Sequence, residues 1–216
     1  MTTGAPEPEI GAWRPPRISV LEADGPDPAT LVRLREVPAL SAAFSDELDR
    51  LGYQTVLPAS ILEPLRRDDV VVGRALTLRY LPMRTVSGPS RLAHKTAAQE
   101  ARPGDVLVVS APSRPTVSVL GGIAARALVA AGVVAAIVDG AVRDLDEVDA
   151  SGLMLWSSGR TPITGRGRLD AIEINGPLDL AGIAVEPGDV VVADRSGIAF
   201  VPAERFDELA ARILGA

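Results

Sequence analysis

Two segments near the middle of the chain carry residues that could do chemistry together. Gly121-Gly122 opens a predicted helix, where the first backbone N–H groups are unpaired and the lack of side chains lets an anion come close. The segment DGAVRD, residues 139–144, follows a predicted buried strand at its carboxyl end, the usual place for a ligand in parallel α/β units. The helix start, the guanidinium of Arg143 and the carboxylate of Asp144 could therefore surround a small anion and a hard cation.

Each of these features also has an interpretation that involves no chemistry. Asp144 and Glu147 have the spacing of a capping box, and this spacing alone favours a role for Asp144 in starting a helix. Arg143 could be a surface residue that pairs with Asp139 or Asp146. The two glycines could form only a turn that allows close helix packing.

The elements around these segments alternate between helix and strand. The pattern predicts a helix over GGIAARALVAAG, a buried strand over VVAAIV, a second helix over DLDEVDASG and a strand over LMLWSS. Such an alternation favours parallel strand pairing. After Arg160 the pattern changes to the consecutive strands AIEIN, AGIAV, DVVVAD and GIAFVP. We therefore expect an α/β fold whose mixed sheet has helices on one side and a second β layer on the other.

The rest of the chain follows the same patterns. Three stretches in which Asp introduces a β-branched run are predicted to be related strands of one sheet system: RRDDVVVGRALTLRYL, RPGDVLVVSA and EPGDVVVADRSGIAFV. Short helices are predicted over ATLVRLREV and SAAFSDELDRLG. A further helix is expected from a Ser90 cap to about Ala101, and a terminal helix begins at Pro202.

Composition narrows the class of protein. The 216 residues, 47% of them hydrophobic, suit one domain with a sizeable core. With 22 basic and 28 acidic residues the net charge is −6 and no basic run occurs, which argues against nucleic-acid binding. The absence of cysteine excludes disulfides, thiolate metal sites and cysteine nucleophiles, so any metal must be held by oxygen ligands.

The first residues look like neither a membrane anchor nor a packed segment. Six prolines between Pro6 and Pro28 predict an extended arm over residues 1–28, with one domain over 29–216. Acidic residues and prolines stand where a secretory signal would have basic and then apolar residues, so we expect a cytoplasmic protein. The longest apolar run, residues 127–138, is broken by Gly132 and is too short to span a bilayer.

The string GGIAARALVAAGVVAAIVDGAVRDLDEV resembles the signature of the RraA-like family. This family contains 4-hydroxy-4-methyl-2-oxoglutarate aldolases and the regulator of ribonuclease E activity A. Similar blocks occur in the expected order in SDELDRLG, VVGRALTL, LAHKTAAQEARPGDVLVV and PGDVVVADRSGIAFVP. The resemblance implies a compact α/β/β sandwich of the swivelling phosphohistidine-domain kind with a mixed sheet. It also implies a homotrimer or a hexamer with active sites at subunit borders.

The resemblance further assigns catalytic roles to Arg143 and Asp144. Asp144 would hold Mg²⁺ or Mn²⁺, partly through water, and Arg143 would bind a carboxylate of a small 2-oxo acid. The pyruvyl part of that substrate would lie on backbone N–H groups at the helix start, formed by Gly121, Gly122, Ile123 and Ala124.

The implied function is a divalent-metal-dependent lyase that acts on a 2-oxo acid. It would release pyruvate by retro-aldol cleavage or decarboxylate oxaloacetate, because a cation that binds the 2-oxo group and the carboxylate would stabilise the enolate common to both reactions. The alternative is a non-catalytic regulatory protein of the ribonuclease E inhibitor type. The Arg-Asp pair does not separate these two functions, since regulatory relatives also have it.

One position departs from the family pattern. Many family aldolases carry an acidic residue 21 positions before the Arg of the Arg-Asp pair, where it helps to position a water for proton transfer, and this chain has Gly122 there. Either the substrate differs or another group supplies the proton. Asp194, Glu204 and His94 are the possible substitutes, which the sequence does not rank.

For four further basic residues, the favoured interpretation involves no chemistry. His94, the single histidine, is expected to be partly buried with a local hydrogen bond. Arg160, Arg166 and Arg168 belong to a Gly-rich loop that we expect to be solvated, with contact to a second substrate carboxylate as the minority interpretation.

Overall fold

The computed structural model describes residues 15–21, 25–83, 92–111 and 116–215. Short helices and strands follow one another along these ranges. In chain order the elements are β1 (Arg17–Ile18), α1 (Pro28–Arg35), α2 (Leu40–Leu51), β2 (Val56–Pro58), β3 (Glu63–Pro64), β4 (Val71–Pro82), α3 (His94–Glu100), β5 (Val106–Ser110), β6 (Ser118–Leu120), α4 (Gly122–Ala130), β7 (Ala135–Val142), α5 (Leu145–Ser151), β8 (Met154–Arg160), β9 (Leu169–Ile174), β10 (Leu178–Leu180), β11 (Ile183–Val185), β12 (Val190–Ala193), β13 (Gly197–Val201) and α6 (Ala203–Ile213).

A mixed sheet organises the fold. Its strands run in the order β2-β13-β12-β4-β5-β7-β8-β3, while β6 pairs with the end of β7 and β9 pairs with β4 and β1. The pairs β4/β5, β5/β7 and β7/β8 are parallel, which confirms the pairing expected for the central helix–strand alternation. The three Asp-introduced stretches form the neighbouring strands β12, β4 and β5, as predicted. The mixed α/β fold is therefore confirmed.

Three hydrophobic cores separate the layers. Helices α3, α4 and α5 cover one face of β4, β5, β7 and β8. The opposite face of these strands packs against β12, β13 and the β10–β11 hairpin, which form the expected second β layer. Helices α1, α2 and α6 cover the outer face of β12 and β13 and add a layer that the sequence patterns did not assign.

Strand β4 contributes to all three cores. Leu76, Leu78 and Tyr80 face the core beneath α3 and α4. Val71 and Ala75 face the core between the β layers, and Val72 faces the helices α1, α2 and α6. The strand is long enough to do this because its first residues pair with β12 and its later residues pair with β5 and β9.

Some expectations were wrong or fall on residues outside the described ranges. The strands β1, β2, β3, β6 and β10 were not predicted, because such short segments are held by pairing with other strands and carry little periodic pattern of their own. The predicted cap Ser90 lies outside the described residues, and α3 begins at His94 without a side-chain cap. Within the predicted arm, β1 pairs with β9; the division of the chain at residue 28 stays a prediction. Among the described residues, no helix is long and apolar enough to cross a membrane.

A buried ion pair joins β4 and β5 at the end of the sheet opposite to Arg143 and Asp144. Arg74 in β4 donates to both carboxylate oxygens of Asp105, at 2.9 and 2.7 Å, and both side chains are almost completely buried. Asp105 directly precedes β5 and also accepts the backbone N–H of Arg102 at 2.8 Å. Removing one partner of such a pair leaves an uncompensated buried charge, which is far more costly than breaking an exposed pair.

We expect Asp105→Ala to lower the free energy of unfolding by about 3–5 kcal/mol, because the guanidinium of Arg74 would keep its buried position without this carboxylate. Urea denaturation followed by circular dichroism measures the change. Asp149→Ala, which breaks the exposed pair with Arg66, is the matched control and should cost about 1 kcal/mol or less. Equal effects of the two substitutions would contradict the assigned role of the buried pair.

Candidate active site

The residues singled out by sequence meet at the carboxyl end of β7. The first part of β7 pairs with β5 and its last residues pair with β6 instead. Beyond the strand, Arg143 donates its backbone N–H to the carbonyl of Leu120 at 3.1 Å. Strand β6 therefore places the start of α4 directly beside Arg143 and Asp144.

Gly121, immediately before α4, lies close to the side chains of Arg143 and Asp144, which would have to shift to admit a larger residue. Its backbone is extended, but an added Cβ would lie 2.8 Å from Asp144 Oδ2 and 3.0 Å from Arg143 Cγ. The first helical hydrogen bond of α4 runs from the N–H of Ala125 to the carbonyl of Gly121 at 3.0 Å. The N–H groups of residues 122–124 come before this bond, so the helix leaves them free to bind an anion next to the Arg-Asp pair.

Asp144 starts α5 with its backbone and not with its side chain. Its φ of 54° and ψ of 46° lie in the left-handed region, which Asp tolerates better than most residues. Its carbonyl accepts the N–H of Glu147 at 3.0 Å, but its carboxylate accepts no capping hydrogen bond. The Glu147 carboxylate binds Arg126 at 2.6 Å. The capping-box interpretation is therefore wrong, and the Asp144 carboxylate is available to a ligand.

The guanidinium of Arg143 lies against its neighbour in sequence. Nε is 3.2 Å from Asp144 Oδ2, and both side chains are about one-third exposed, at 33% and 36%. The expected alternative partners are not used: Asp139 accepts the N–H of Ala181 at 3.2 Å on the other face of β7, and Asp146 is exposed on α5. Burial raises the pKa of Asp139 in that position. Pairing through Nε leaves the two terminal nitrogens of Arg143 for a ligand.

These groups line one cleft. The described residues around it are Leu92, His94, Ser118, Val119, Leu120, Gly121, Ile123, Ala124, Arg143, Asp144, Thr164 and Arg166. Within the described ranges no group of three or more His, Asp or Glu side chains could hold a metal ion. Asp144 is the one carboxylate among these lining residues, so a cation bound here would have to complete its coordination with water or with a ligand.

The cleft contains five of the six residues expected from the family resemblance, and Gly122 is the exception. Its α-carbon faces α5, where an added Cβ would lie 2.5 Å from Glu147 Cβ and closer still to a carboxylate oxygen of Glu147. Glu147 and its ion pair with Arg126 therefore fill the space where a side chain at position 122 would begin. The predicted role of Gly122 uses only its backbone N–H and stays a prediction, as do the roles of the other five residues.

One arginine of the basic loop reaches the cleft. The loop is held along β6, since Ser118 donates its N–H to the carbonyl of Ile163 at 2.8 Å and Thr164 forms a bridge with Ser118. Gly165 marks this close approach, because a Cβ there would collide with the carbonyl oxygen of Ser118. Arg166 is exposed, as expected of a solvated loop, and it also lines the cleft.

The other two arginines of the loop do not line the cleft. Arg160 lies 3.8 Å from Glu63, and Arg168 donates to the carbonyl of Thr164 at 3.0 Å. Within this cleft, the minority interpretation of a second carboxylate contact thus concerns Arg166, whereas Arg160 lines a separate depression on the other side of Arg143 and Asp144. The signal that could have singled out Arg166 is Gly165, the neighbour that allows the loop to touch β6.

His94 is partly buried, as expected. Its Nδ1 is buried, and neither ring nitrogen has a hydrogen-bond partner among the described residues, so the predicted local hydrogen bond is wrong. Burial, helped by the positive charges of Arg166 and Lys95, lowers its pKa to about 4. The imidazole is therefore neutral at pH 7.

The other two candidates for the missing acid lie elsewhere in the fold. The carboxylate of Asp194 accepts the N–H and the hydroxyl of Ser41, at 3.0 and 2.7 Å, and the N–H of Ser196 at 2.7 Å. Glu204 is exposed in the first turn of α6. Neither residue lines the cleft, which leaves His94 as the one of the three that does.

Comparisons with known proteins identify a family that covers most of the chain. Residues 41–200 match the family described as RraA-like, Aldolase/RraA. A Halalkalibacterium halodurans protein provisionally named 4-hydroxy-4-methyl-2-oxoglutarate aldolase is 31% identical over 80% of this chain and 76% of its own length. A Thermus thermophilus protein named 4-hydroxy-4-methyl-2-oxoglutarate aldolase is 31% identical over 60% of this chain and 74% of its own.

A solved structure is similar over nearly the whole fold. Streptomyces coelicolor RraAS2, described as an unusual member of the RNase ES inhibitor RraA protein family, superposes with a TM-score of 0.75 and 29% identity. The match covers 94% of each chain. Relatives named for an aldolase activity and relatives named for ribonuclease inhibition are thus both similar to this chain.

We expect Gly122→Ala to lower the free energy of unfolding by about 1–3 kcal/mol, because the new Cβ would push α4 away from Glu147. The sign is informative, since helix propensity alone would make alanine the better residue by about 1 kcal/mol. Gly25→Ala, whose Cβ would meet nothing closer than 3.9 Å, is the control and should leave the midpoint of urea denaturation almost unchanged. A stabilised Gly122→Ala protein would show that α4 and α5 are not tightly packed.

Proposed function

Because the chain belongs to the RraA-like family, we propose that it is a divalent-metal-dependent lyase that acts on 2-oxo acids and releases pyruvate. The reactions in question are retro-aldol cleavage of a substrate of the 4-hydroxy-4-methyl-2-oxoglutarate type and decarboxylation of oxaloacetate. Both reactions break the bond between C3 and C4 of the substrate. Both leave the enolate of pyruvate, which keeps C3. The protein must therefore accommodate negative charge on the oxygen of the former 2-oxo group.

The observation that carries this proposal is the meeting of three complementary groups in one cleft. The terminal nitrogens of Arg143 offer two parallel donors to a carboxylate, a geometry that guanidinium matches well. The free N–H groups of Ile123 and Ala124 at the start of α4 favour negative charge on the neighbouring 2-oxo oxygen. Asp144 adds a carboxylate whose side chain has no role in capping α5.

The residues present suit a hard divalent cation. Mg²⁺ is commonly held by one or two carboxylates and keeps several waters, which agrees with a cleft whose lining includes Asp144 as its one carboxylate in the described ranges. Mg²⁺ or Mn²⁺ held by Asp144 would act as a Lewis acid that stabilises negative charge on the 2-oxo group. The chain itself would orient the substrate carboxylate through Arg143 and present the N–H groups of α4.

A second positive charge in the cleft favours substrates with two carboxylates. Arg166 lies on the loop along β6 and lines the same cleft as Arg143. Oxaloacetate and 4-hydroxy-4-methyl-2-oxoglutarate each carry a carboxylate beside the 2-oxo group and another at the far end. We infer that Arg143 binds the first of these and Arg166 the second.

The finer family properties are also proposals for this chain. We propose the swivelling phosphohistidine-domain kind of sandwich and an assembly of one or two trimers. In support, Ile123, Val129 and Ile163 are 53%, 38% and 45% exposed on α4 and on the loop beside the cleft, and a neighbouring subunit would cover such apolar groups. Light scattering at several protein concentrations measures the assembly.

The competing function is regulation of a ribonuclease without catalysis. Its support is the similarity to Streptomyces coelicolor RraAS2. A panel of 2-oxo acids, assayed for pyruvate release with Mg²⁺, with Mn²⁺ and with a chelator, separates the two. Turnover that requires the metal supports the lyase. Absence of turnover together with dose-dependent inhibition of an RNase E-type enzyme supports the regulator.

The first variant for this assay is Asp144→Asn, which keeps the shape of the side chain and the tolerance of the left-handed conformation while removing the charge. We expect metal-dependent pyruvate release to fall by at least about 100-fold, because a carboxamide is a poor ligand for a hard cation. Asp146→Asn, an exposed neighbour on α5, is the control. Full activity of Asp144→Asn with unchanged metal dependence would exclude Asp144 as the ligand.

The second variant, Arg143→Lys, keeps the positive charge and removes the forked pair of donors. We expect kcat/KM to fall by about 10- to 100-fold, the range for losing one charge-assisted hydrogen bond. Arg126→Lys, which alters an exposed ion pair with Glu147, should leave kcat/KM within about twofold. Similar efficiencies of both variants would mean that Arg143 does not bind substrate.

A further inference from the structure

The cleft needs a group that can move a proton, and its described lining offers one. Arg143 and Arg166 line the cleft with guanidinium groups, which donate hydrogen bonds and do not act as bases. Asp144 is engaged by the cation in the proposed function, and the hydroxyls of Ser118 and Thr164 are not bases near neutral pH. His94 is then the one described lining side chain that can take up and release a proton.

The fold fixes the position of His94. It is the first residue of α3, and the preceding residue Ala93 donates its N–H to the buried hydroxyl of Tyr80 at 3.0 Å. Ala93 also accepts the N–H of Ala97 at 2.8 Å, which closes the first turn of the helix. The imidazole is therefore attached to an anchored helix start and not to a free loop.

The hydrogen bonding of the imidazole is incomplete in a way that a ligand would complete. Nδ1 of His94 is buried without a partner in the part of the chain that the structure describes, although buried polar atoms are nearly always satisfied. Nε2 makes no hydrogen bond with the described chain either and is not among the buried atoms, so it is the more accessible nitrogen of a ring that lines the cleft. A histidine with a purely structural role would be expected to use at least one of its nitrogens.

The charges around His94 keep it in the form that accepts a proton. Arg166 and Lys95 lie near it, Arg143 lines the same cleft, and the ring is largely buried. Burial, followed by the charges of Arg166 and Lys95, disfavours the imidazolium and lowers the pKa of His94 to about 4. The carboxylate of Asp144 is the opposing negative charge in the cleft.

We propose that His94 is the proton-transfer residue of this site, which rests on the proposed lyase function. Nε2 takes the proton from the C4 hydroxyl of a 4-hydroxy-2-oxo acid as the C3–C4 bond breaks. The C4 oxygen becomes a carbonyl, and the electrons of the broken bond form the enolate of pyruvate. The imidazolium then returns the same proton to C3 of the enolate, which gives pyruvate and restores neutral His94.

Aldol cleavage and oxaloacetate decarboxylation need His94 at different steps. Oxaloacetate loses CO₂ without giving up a hydroxyl proton, so His94 is needed only afterwards, to deliver a solvent-derived proton to C3. Aldol cleavage needs the base before the bond can break. Pyruvate itself, bound with Mg²⁺ in D₂O, should exchange its methyl protons because neutral Nε2 can remove one of them and return a deuteron.

The test compares the wild-type protein with His94→Gln in three assays: cleavage of 4-hydroxy-4-methyl-2-oxoglutarate, consumption of oxaloacetate, and methyl-proton exchange of pyruvate followed by ¹H NMR. We expect His94→Gln to lower kcat for aldol cleavage and the exchange rate by about 10²- to 10⁴-fold, with KM within about threefold. Oxaloacetate consumption should fall much less. Glu100→Gln, an exposed residue at the end of α3, is the control and should keep all three rates within about threefold.

The outcomes separate the role of His94 from the function on which it rests. Wild-type protein that is inactive in all three assays with Mg²⁺ and with Mn²⁺ rejects the lyase and the role of His94 together. An active wild type with an equally active His94→Gln rejects only the role of His94. A loss that appears in KM, or equally in all three reactions, shows a structural role and also rejects it.

A measurement on the unaltered protein covers the case in which His94→Gln does not fold. Because His94 is the single histidine, diethylpyrocarbonate has one imidazole to modify. Modification should abolish pyruvate proton exchange, pyruvate with Mg²⁺ should protect against it, and hydroxylamine should restore the exchange. Exchange that continues after complete modification would overturn the proposal.

Discussion

The candidate site depends on one strand having two partners along the same edge. β5 ends at Ser110, whereas β7 continues to Val142, and the three residues of β6 occupy the edge that β5 leaves. The chain leaves β6 straight into α4, so the free N–H groups of that helix arrive where β7 also ends. Without this exchange of partners, the start of α4 would not lie beside Arg143 and Asp144.

Close contact between α4 and α5 explains both what the site contains and what it lacks. Gly121 allows the backbone to touch Asp144 and Arg143, and Gly122 allows it to touch Glu147. A side chain at position 122 and Glu147 in its present place exclude each other. A proton-transfer group for this cleft therefore has to come from another wall, and α3 supplies His94.

Local patterns predicted the framework of this site, and contacts between distant segments determined the rest. The apolar periodicity of α4, β7 and α5 lies within each segment, and so these elements and their parallel arrangement could be read from the sequence. Strand β6 could not, because it is held mainly by pairing with β7. The spacing of Asp144 and Glu147 suggested a cap, but Arg126, on another helix, binds Glu147 instead. Likewise, His94 is distinguished by the absence of a hydrogen bond, which no sequence pattern records.

Because β4 contributes to three hydrophobic cores, it couples the unfolding of the layers on both of its faces. Its residues help to bury α3 and α4 on one side, the second β layer on another and the helices α1, α2 and α6 beyond it. Releasing β4 would expose all three apolar interiors at once, which makes partial unfolding through this strand as costly as complete unfolding. The amide hydrogens of β4 should accordingly be among the last to exchange with solvent, and the two halves of the chain should melt as one cooperative unit.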